Sequence, residues 1–253
     1  MLSVPEQVQP LLRRLGQLAQ ARGVEAYAVG GCVRDWMVGV TRLVDLDIVV
    51  IGDGLAFARE AARALHASLT AHEQFGTATL AARSASCGTS SSSRLAVGPS
   101  ARSELMRIDI ATARKERYTA PAAYPKVTPG TLREDLFRRD FTINALAMGI
   151  GPEAFGQVVD PFGGARDLRA KRLRILHLHS FVDDPSRILR GVRLMERFGL
   201  TLEPVTARAL RRAVEEGLLA RLNRGRLRKE LERITQEPDP MACLERLGRW
   251  LAA

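Results

Sequence analysis

Apolar residues recur at helical spacing near the start of the chain. Leu11, Leu12, Leu15 and Leu18 form one stripe and predict a helix across Leu2–Arg22. The period then changes. Glu25–Val29 reads as a short strand ending at Gly30-Gly31, and Cys32–Val38 as a short helix. Leu46–Ile51 reads as a strand closed by Gly52-Asp53-Gly54, and Leu55–His66 as an amphipathic helix. Thr77–Ala82 and Leu105–Ala111 carry strand-like runs. Beyond Gly130 the pattern is mainly helical, with candidates at Leu132–Arg138, Ile143–Met148, Pro185–Phe198, Pro204–Glu216, Leu227–Thr235 and Met241–Trp250. Pro185 and Pro204 suit early helix positions. This order predicts an α+β fold: a first part with a small mixed or antiparallel sheet, then an all-α part. SASCGTSSSSRLAVGPSARSE, residues 84–104, is rich in Ser and Gly and reads as a flexible surface insertion.

Composition narrows the classes. The 253 residues suffice for one large domain or two small ones, each with a core. No run of eighteen apolar residues exists, so no membrane span is expected. The N-terminus lacks an apolar signal region, which makes the cytoplasm the expected compartment. Cys32, Cys87 and Cys243 are scattered, which argues against a disulfide framework or a zinc site. His177 and His179 lie among large apolar residues and read as structural or exposed. The net charge of +10 comes mostly from arginine. That charge suits polyanion partners through the guanidinium fork, but it is also what a merely arginine-rich surface would give.

Asp45 and Asp47 change the picture. Residues two apart on a strand face the same way, roughly 6.5 to 7 Å apart, so these carboxylates aim together. Paired carboxylates suit hard divalent cations such as magnesium. In RIDIAT, Ile108 and Ile110 alternate with Asp109, which offers a third carboxylate from another strand. A lone DxD is more often the solvated entrance of a strand. Gly30-Gly31, between a strand and a helix, lets backbone N–H groups approach phosphate. It is neither a dinucleotide fingerprint nor a P-loop. Arg34, one turn into the helix, is placed to reach a triphosphate, and Asp35 to hold a neighbouring arginine.

GGCVRD followed by DLD resembles the catalytic motif of DNA polymerase beta-like nucleotidyltransferases. The branch is that of class II tRNA CCA-adding enzymes and bacterial poly(A) polymerases. FGTATL (75–80), IDIATARKERY (108–118), EDLFRRDFTINALAM (134–148), DPFGGARDL (160–168), DDPSRILRGVR (183–193) and RGRLRKELERI (224–234) resemble its later motifs, in order. The resemblance implies a nucleotidyltransferase head at 1–145 and a helical neck at 146–253. Relatives usually continue into body and tail domains. This chain stops about where the neck ends, so those domains are expected to be absent from it.

The resemblance also implies roles. Asp45, Asp47 and Asp109 would hold two magnesium ions. Arg139, Asp140 and Asn144 would handle the ribose, although Asp140 also reads as a helix cap. Asp184 and Arg187, three apart, would share a helix face and read the base. A carboxylate accepts from the exocyclic amino group of C or A, and a guanidinium donates to the adjacent ring nitrogen. U and G would set a carbonyl against the carboxylate. A capped helix start with a salt-bridged arginine is the plainer reading. Asp183 stands where the family often has glutamate. Arg190 and Arg193 would meet triphosphate or the RNA end. Arg224, Arg226, Arg228 and Lys229 would touch tRNA phosphate, unless they form only a solvated basic face.

The expected activity is template-independent addition of C and/or A to a tRNA 3′ end from CTP or ATP, with pyrophosphate released. A poly(A) polymerase using ATP alone is one alternative, and a weakly catalytic RNA-binding relative is another. The loop between Asp109 and Arg139, with Pro121, Pro125, Pro129 and Gly130, resembles that of the CC-adding branch. The motifs carry no sign of oligomeric state.

Overall fold

The computed structural model describes residues 1–41, 45–83 and 105–252. The expected insertion at 84–104 therefore lies outside the described residues. The chain opens with α1 (Gln9–Ala21), β1 (Glu25–Val29), α2 (Gly31–Met37), β2 (Asp45–Ile51) and α3 (Gly54–Leu65). Next come β3 (Ser68–His72), β4 (Thr77–Arg83), β5 (Leu105–Thr112), β6 (Arg114–Arg117), β7 (Lys126–Pro129) and α4 (Leu132–Phe137). Then follow β8 (Ala147–Gly149), β9 (Val158–Val159), α5 (Gly164–Arg169), β10 (Arg172–Leu173) and α6 (Ser180–Asp183). The last elements are α7 (Ser186–Phe198), β11 (Thr201–Leu202), α8 (Pro204–Glu215), α9 (Arg224–Ile234) and α10 (Pro240–Leu251).

These elements group into two compact units that do not follow one cut of the chain. The first holds 1–114, 129–132 and 147–159, and the second 115–128, 133–146 and 160–253. The sequence alone suggests a single boundary after 145. Instead, Ala147–Gly149 pairs antiparallel with β1, so a segment past that point joins the sheet unit.

The sheet unit is a seven-stranded mixed sheet in the order β3-β4-β5-β2-β1-β8-β9. Only β2 and β5 run parallel; every other neighbouring pair is antiparallel. Alternation explains the burial. Leu46, Ile48 and Val50 of β2, Leu80 of β4, and Ile108 and Ile110 of β5 are buried. Leu12 and Leu15 of α1 and Phe57 and Ala61 of α3 add the helical side of this core. α1 starts later than the leucine stripe suggests, with Pro10 in its first turn.

The helical unit packs Leu189 and Val192 of α7 against Ile234 of α9 and Cys243 of α10. The expected helix at Ile143–Met148 is not formed. Thr142–Asn144 makes one 3-10 turn, Phe141 bridges to Ile175, and Ala147 begins a strand. Apart from Asn144 the run is apolar, so periodicity does not separate a buried strand from a helix. Gly164 makes a close approach possible here, since a Cβ would sit 2.1 Å from the Thr142 carbonyl oxygen.

Candidate functional site

Three carboxylates line one end of the sheet. Parallel pairing sets Asp45 opposite Arg107 and Asp47 opposite Asp109. Directly paired residues share a face, and their strands lie about 4.8 Å apart. Buried neighbours at 46, 48, 108 and 110 force the carboxylates to the other face, where Asp45 is exposed and Asp47 and Asp109 are half-buried. Ala28 pairs with Ile48, so antiparallel β1 ends beside the start of β2. The Gly30-Gly31 turn thus lies at the same end of the sheet as the aspartates.

Gly30 has φ 75° and ψ −128°, a conformation that needs glycine, and it leads into α2. Arg34 is buried and held by Asp35 through Nε–Oδ1 at 2.9 Å. Its Nη2 lies 3.6 Å from where a Cβ on Gly31 would stand. The guanidinium therefore folds back over the glycine turn, with Asp35 as its anchor.

Two residues to which the sequence assigns no role also meet the carboxylates. Thr79 of β4 pairs with Asp109 and donates its hydroxyl to Asp109 Oδ1 at 2.5 Å. Arg107 grips both oxygens of Asp109, Nε to Oδ1 at 3.2 Å and Nη2 to Oδ2 at 3.0 Å. Its pKa is raised, first by that hydrogen bond and charge, then by Asp45 and Asp47. The signal was the strand period: Arg107 sits two before Asp109. The expected three-carboxylate cluster is not drawn together: among the described residues no group of three His, Cys, Asp or Glu is placed to hold a metal ion. Like charges repel, and the Arg107 guanidinium offsets the charge of Asp109. The donors still suit a hard cation, because all are carboxylate oxygens on one face.

The helical unit holds the other predicted residues, and most are paired with one another. Asp140 is buried and accepts from the Phe141 N–H at 2.7 Å, Asn144 Nδ2 at 3.0 Å and Arg190 Nη1 at 3.1 Å. Burial alone would raise its pKa; Arg190, Asn144 and the Phe141 N–H outweigh it and hold the carboxyl below the usual range. Asp140 and Asn144 thus meet as expected, but across a tight turn rather than along a helix. Arg139 pairs with Asp135 at 3.1 Å, and its Nε is buried without a partner.

Asp184 and Arg187 do not share a helix face. Asp184 is extended, just before α7, and no side-chain hydrogen bond joins the two. Arg187 is buried, donating to Ser180 Oγ and to the Arg138 carbonyl, each at 2.7 Å, while its Nε has no partner. Asp184 Oδ1 accepts from the Ser186 N–H at 3.0 Å and the Ser186 hydroxyl at 2.5 Å, just ahead of α7. Arg190 and Arg193 are turned to buried carboxylates. Glu230 takes Arg190 at 3.3 Å and Arg193 at 3.2 Å, and Glu237 takes Arg193 at 2.8 Å. These partners lie 37 to 50 residues away in sequence, beyond any motif spacing. In the basic run, Arg224, Arg228 and Lys229 are exposed, with Arg228 paired to Glu232 at 2.7 Å. Arg226 instead faces inward, 2.5 Å from Asp184 Oδ1.

Known proteins share this pattern. The family described as poly A polymerase head domain matches residues 26–174. The A-adding tRNA nucleotidyltransferase of Halalkalibacterium halodurans is 39% identical over 240 residues, 94% of this chain and 51% of its own. The CC-adding tRNA nucleotidyltransferase of Deinococcus radiodurans is 36% identical over 247 residues, 96% of this chain and 59% of its own. The solved Thermotoga maritima CCA-adding enzyme complexed with tRNA superposes with a TM-score of 0.78 at 40% identity, covering 98% of this chain and 52% of that one. The chain thus spans little more than half the length of these relatives.

Proposed function

Because the chain belongs to the poly A polymerase head-domain family, we propose that it is a template-independent tRNA nucleotidyltransferase. It joins C, A or both to a tRNA 3′ end from CTP or ATP and releases pyrophosphate. The observation that carries this reading is the register of β2 on β5, which puts Asp45, Asp47 and Asp109 on one face at the Gly30-Gly31 end of the sheet.

Each group has a task in that reaction. The Gly30-Gly31 backbone and Arg34 receive the triphosphate. Asp45, Asp47 and Asp109 are the residues that would hold divalent cations, with magnesium the ion their oxygens suit. Such ions, when bound, activate the attacking hydroxyl and stabilise the leaving group. Arg107 must give up Asp109 for that to happen, while Thr79 stays to orient it. In the helical unit, Arg139, Asp140 and Asn144 serve the ribose. Asp184 and Arg187 read the donor-acceptor edge that C and A share. Arg190 and Arg193 act through buried carboxylates and position the others. Arg224, Arg228 and Lys229 remain the exposed cations for tRNA phosphate. We place the reaction in the cytoplasm; no helix among the described residues is long and apolar enough to cross a membrane.

Both A-adding and CC-adding proteins align along nearly the whole chain, so the choice of nucleotide must be tested directly. Transcripts ending before C74, after one C and after two Cs, each given magnesium with labelled CTP or ATP, should take up one or both nucleotides in a short product. Long homopolymer from ATP alone would instead identify a poly(A) polymerase. No incorporation, where a longer relative works, would overturn the enzymatic reading. Asp184→Ala or Arg187→Ala should weaken rejection of UTP by about ten- to a hundredfold. Unchanged rejection in a competition assay would place base recognition elsewhere.

A further inference from the structure

We infer that Arg226 is a positioning residue for Asp184, not an RNA contact. The inference rests on the reading of Asp184 as the group that accepts from the base amino. It starts from how unevenly that carboxylate is held. Every hydrogen bond and ion pair described for the Asp184 side chain goes to Oδ1: the Ser186 N–H, the Ser186 hydroxyl and Arg226 Nη2 at 2.5 Å. A carboxylate oxygen so loaded fixes the carboxylate plane. Oδ2 is then the oxygen left to accept from a ligand. The fixed plane matters because discrimination between an amino group and a carbonyl depends on where the acceptor stands.

The same guanidinium ties down a second piece of chain. Arg226 Nη1 donates to the Ala122 carbonyl at 3.2 Å, and the guanidinium lies 5.7 Å from the Tyr124 ring centroid. Asn223 prepares both contacts. Its Oδ1 caps α9 by accepting from the Arg226 N–H at 2.9 Å, and its Nδ2 donates to the Tyr124 hydroxyl at 3.2 Å. Ala122 itself has φ 59°, unusual for a residue with a Cβ, and its N–H is held by the Val182 carbonyl at 3.1 Å. One arginine therefore links the loop at 122–124 to Asp184, and movement of that loop reaches the carboxylate through Arg226. Lysine has one nitrogen and cannot span both contacts. The side-chain exposure of Arg226, 21%, fits an inward link better than a phosphate contact, whereas Arg228 nearby is 81% exposed.

Nucleotide binding without turnover tests this. Calorimetric titration of CTP, ATP, UTP and GTP into the chain, with Arg226→Met and Arg226→Lys alongside, reads the base preference itself. tRNA affinity is measured in parallel over a range of salt. The wild-type chain should prefer CTP or ATP, and both variants should lose about tenfold or more of that preference. Their tRNA affinity and its salt slope should stay unchanged. A preserved preference with weaker tRNA binding and a salt slope lower by about one would make Arg226 a phosphate contact and overturn the inference. Equal binding of all four nucleotides by the wild-type chain would remove the base-reading premise and the inference with it. Absent incorporation alongside a clear binding preference would instead count against the catalytic reading alone. Arg226→Lys guards against loss of folding, since it keeps the charge, and a thermal melt of each variant confirms a folded sample.

Discussion

The two units hold their charged motif residues in opposite ways. In the sheet unit, backbone pairing places Asp45, Asp47 and Asp109, and their side chains stay exposed or half-buried. In the helical unit, Asp140, Arg190, Glu230, Arg193 and Glu237 hold one another in a chain of ion pairs. Asp140, Glu230 and Glu237 are almost fully buried. The carboxylates of the sheet are positioned by backbone pairing and stay near the surface, even where, as at Asp109, a guanidinium and a hydroxyl hold them. The charges of the helical unit are part of what holds it together, because a buried charge without its partner is costly. A motif residue can therefore be indispensable for two different reasons, and the two units separate them.

That contrast breaks first at the sheet. Under the proposed reaction Asp47→Ala should lower nucleotide incorporation by about a thousandfold or more, since it takes away a carboxylate that would hold the ions. Melting temperature should shift by no more than about 2 °C and tRNA binding should persist. A collapse of stability together with activity would make Asp47 a structural residue and erase the distinction. Glu230→Gln should show the converse. It leaves Arg190, Arg193 and Arg233 facing a neutral amide, and urea unfolding should report a loss of about 3 to 5 kcal/mol. A loss below about 1 kcal/mol would show that the network is dispensable for folding.

The smallest effect is a pH slope. Burial, helped by Arg187, pushes the His177 imidazole down to about 4. In the unfolded chain it would titrate near 6.5. Between those values the unfolded chain binds a proton that the folded chain refuses, so stability rises with pH and the gain is complete above about 6.5. His177→Phe keeps an aromatic ring beside Phe137, which lies 5.3 Å away centroid to centroid, and should flatten that part of the stability profile. An unchanged slope in melts from pH 4 to 7 would place the titrating group elsewhere.

Local pattern carried much of the site. Alternation in DLDIVVI and RIDIAT put Asp45, Asp47 and Asp109 on exposed faces before any strand pairing was known, because period two is a property of a single strand. Gly30 was legible because only glycine tolerates its backbone. The resemblance of the motifs pointed to the same residues. Local pattern failed where both faces are buried. Ile143–Met148 looks helical, yet pairing with β1 and the Asp140–Asn144 turn decide otherwise. It also failed for Arg226, whose neighbours Arg224 and Arg228 are solvated while it turns inward.

The sequence by itself determined the alternation that exposes the carboxylates, the glycine turn beside them, and the order of the motifs. Tertiary structure alone decided which charge meets which. Asp140 finds Arg190 across 50 residues, and Arg187 finds the Arg138 carbonyl across 49. No local period encodes such pairs. They form because packing buries both partners, and burial of a charge selects whichever counter-charge the fold brings within reach.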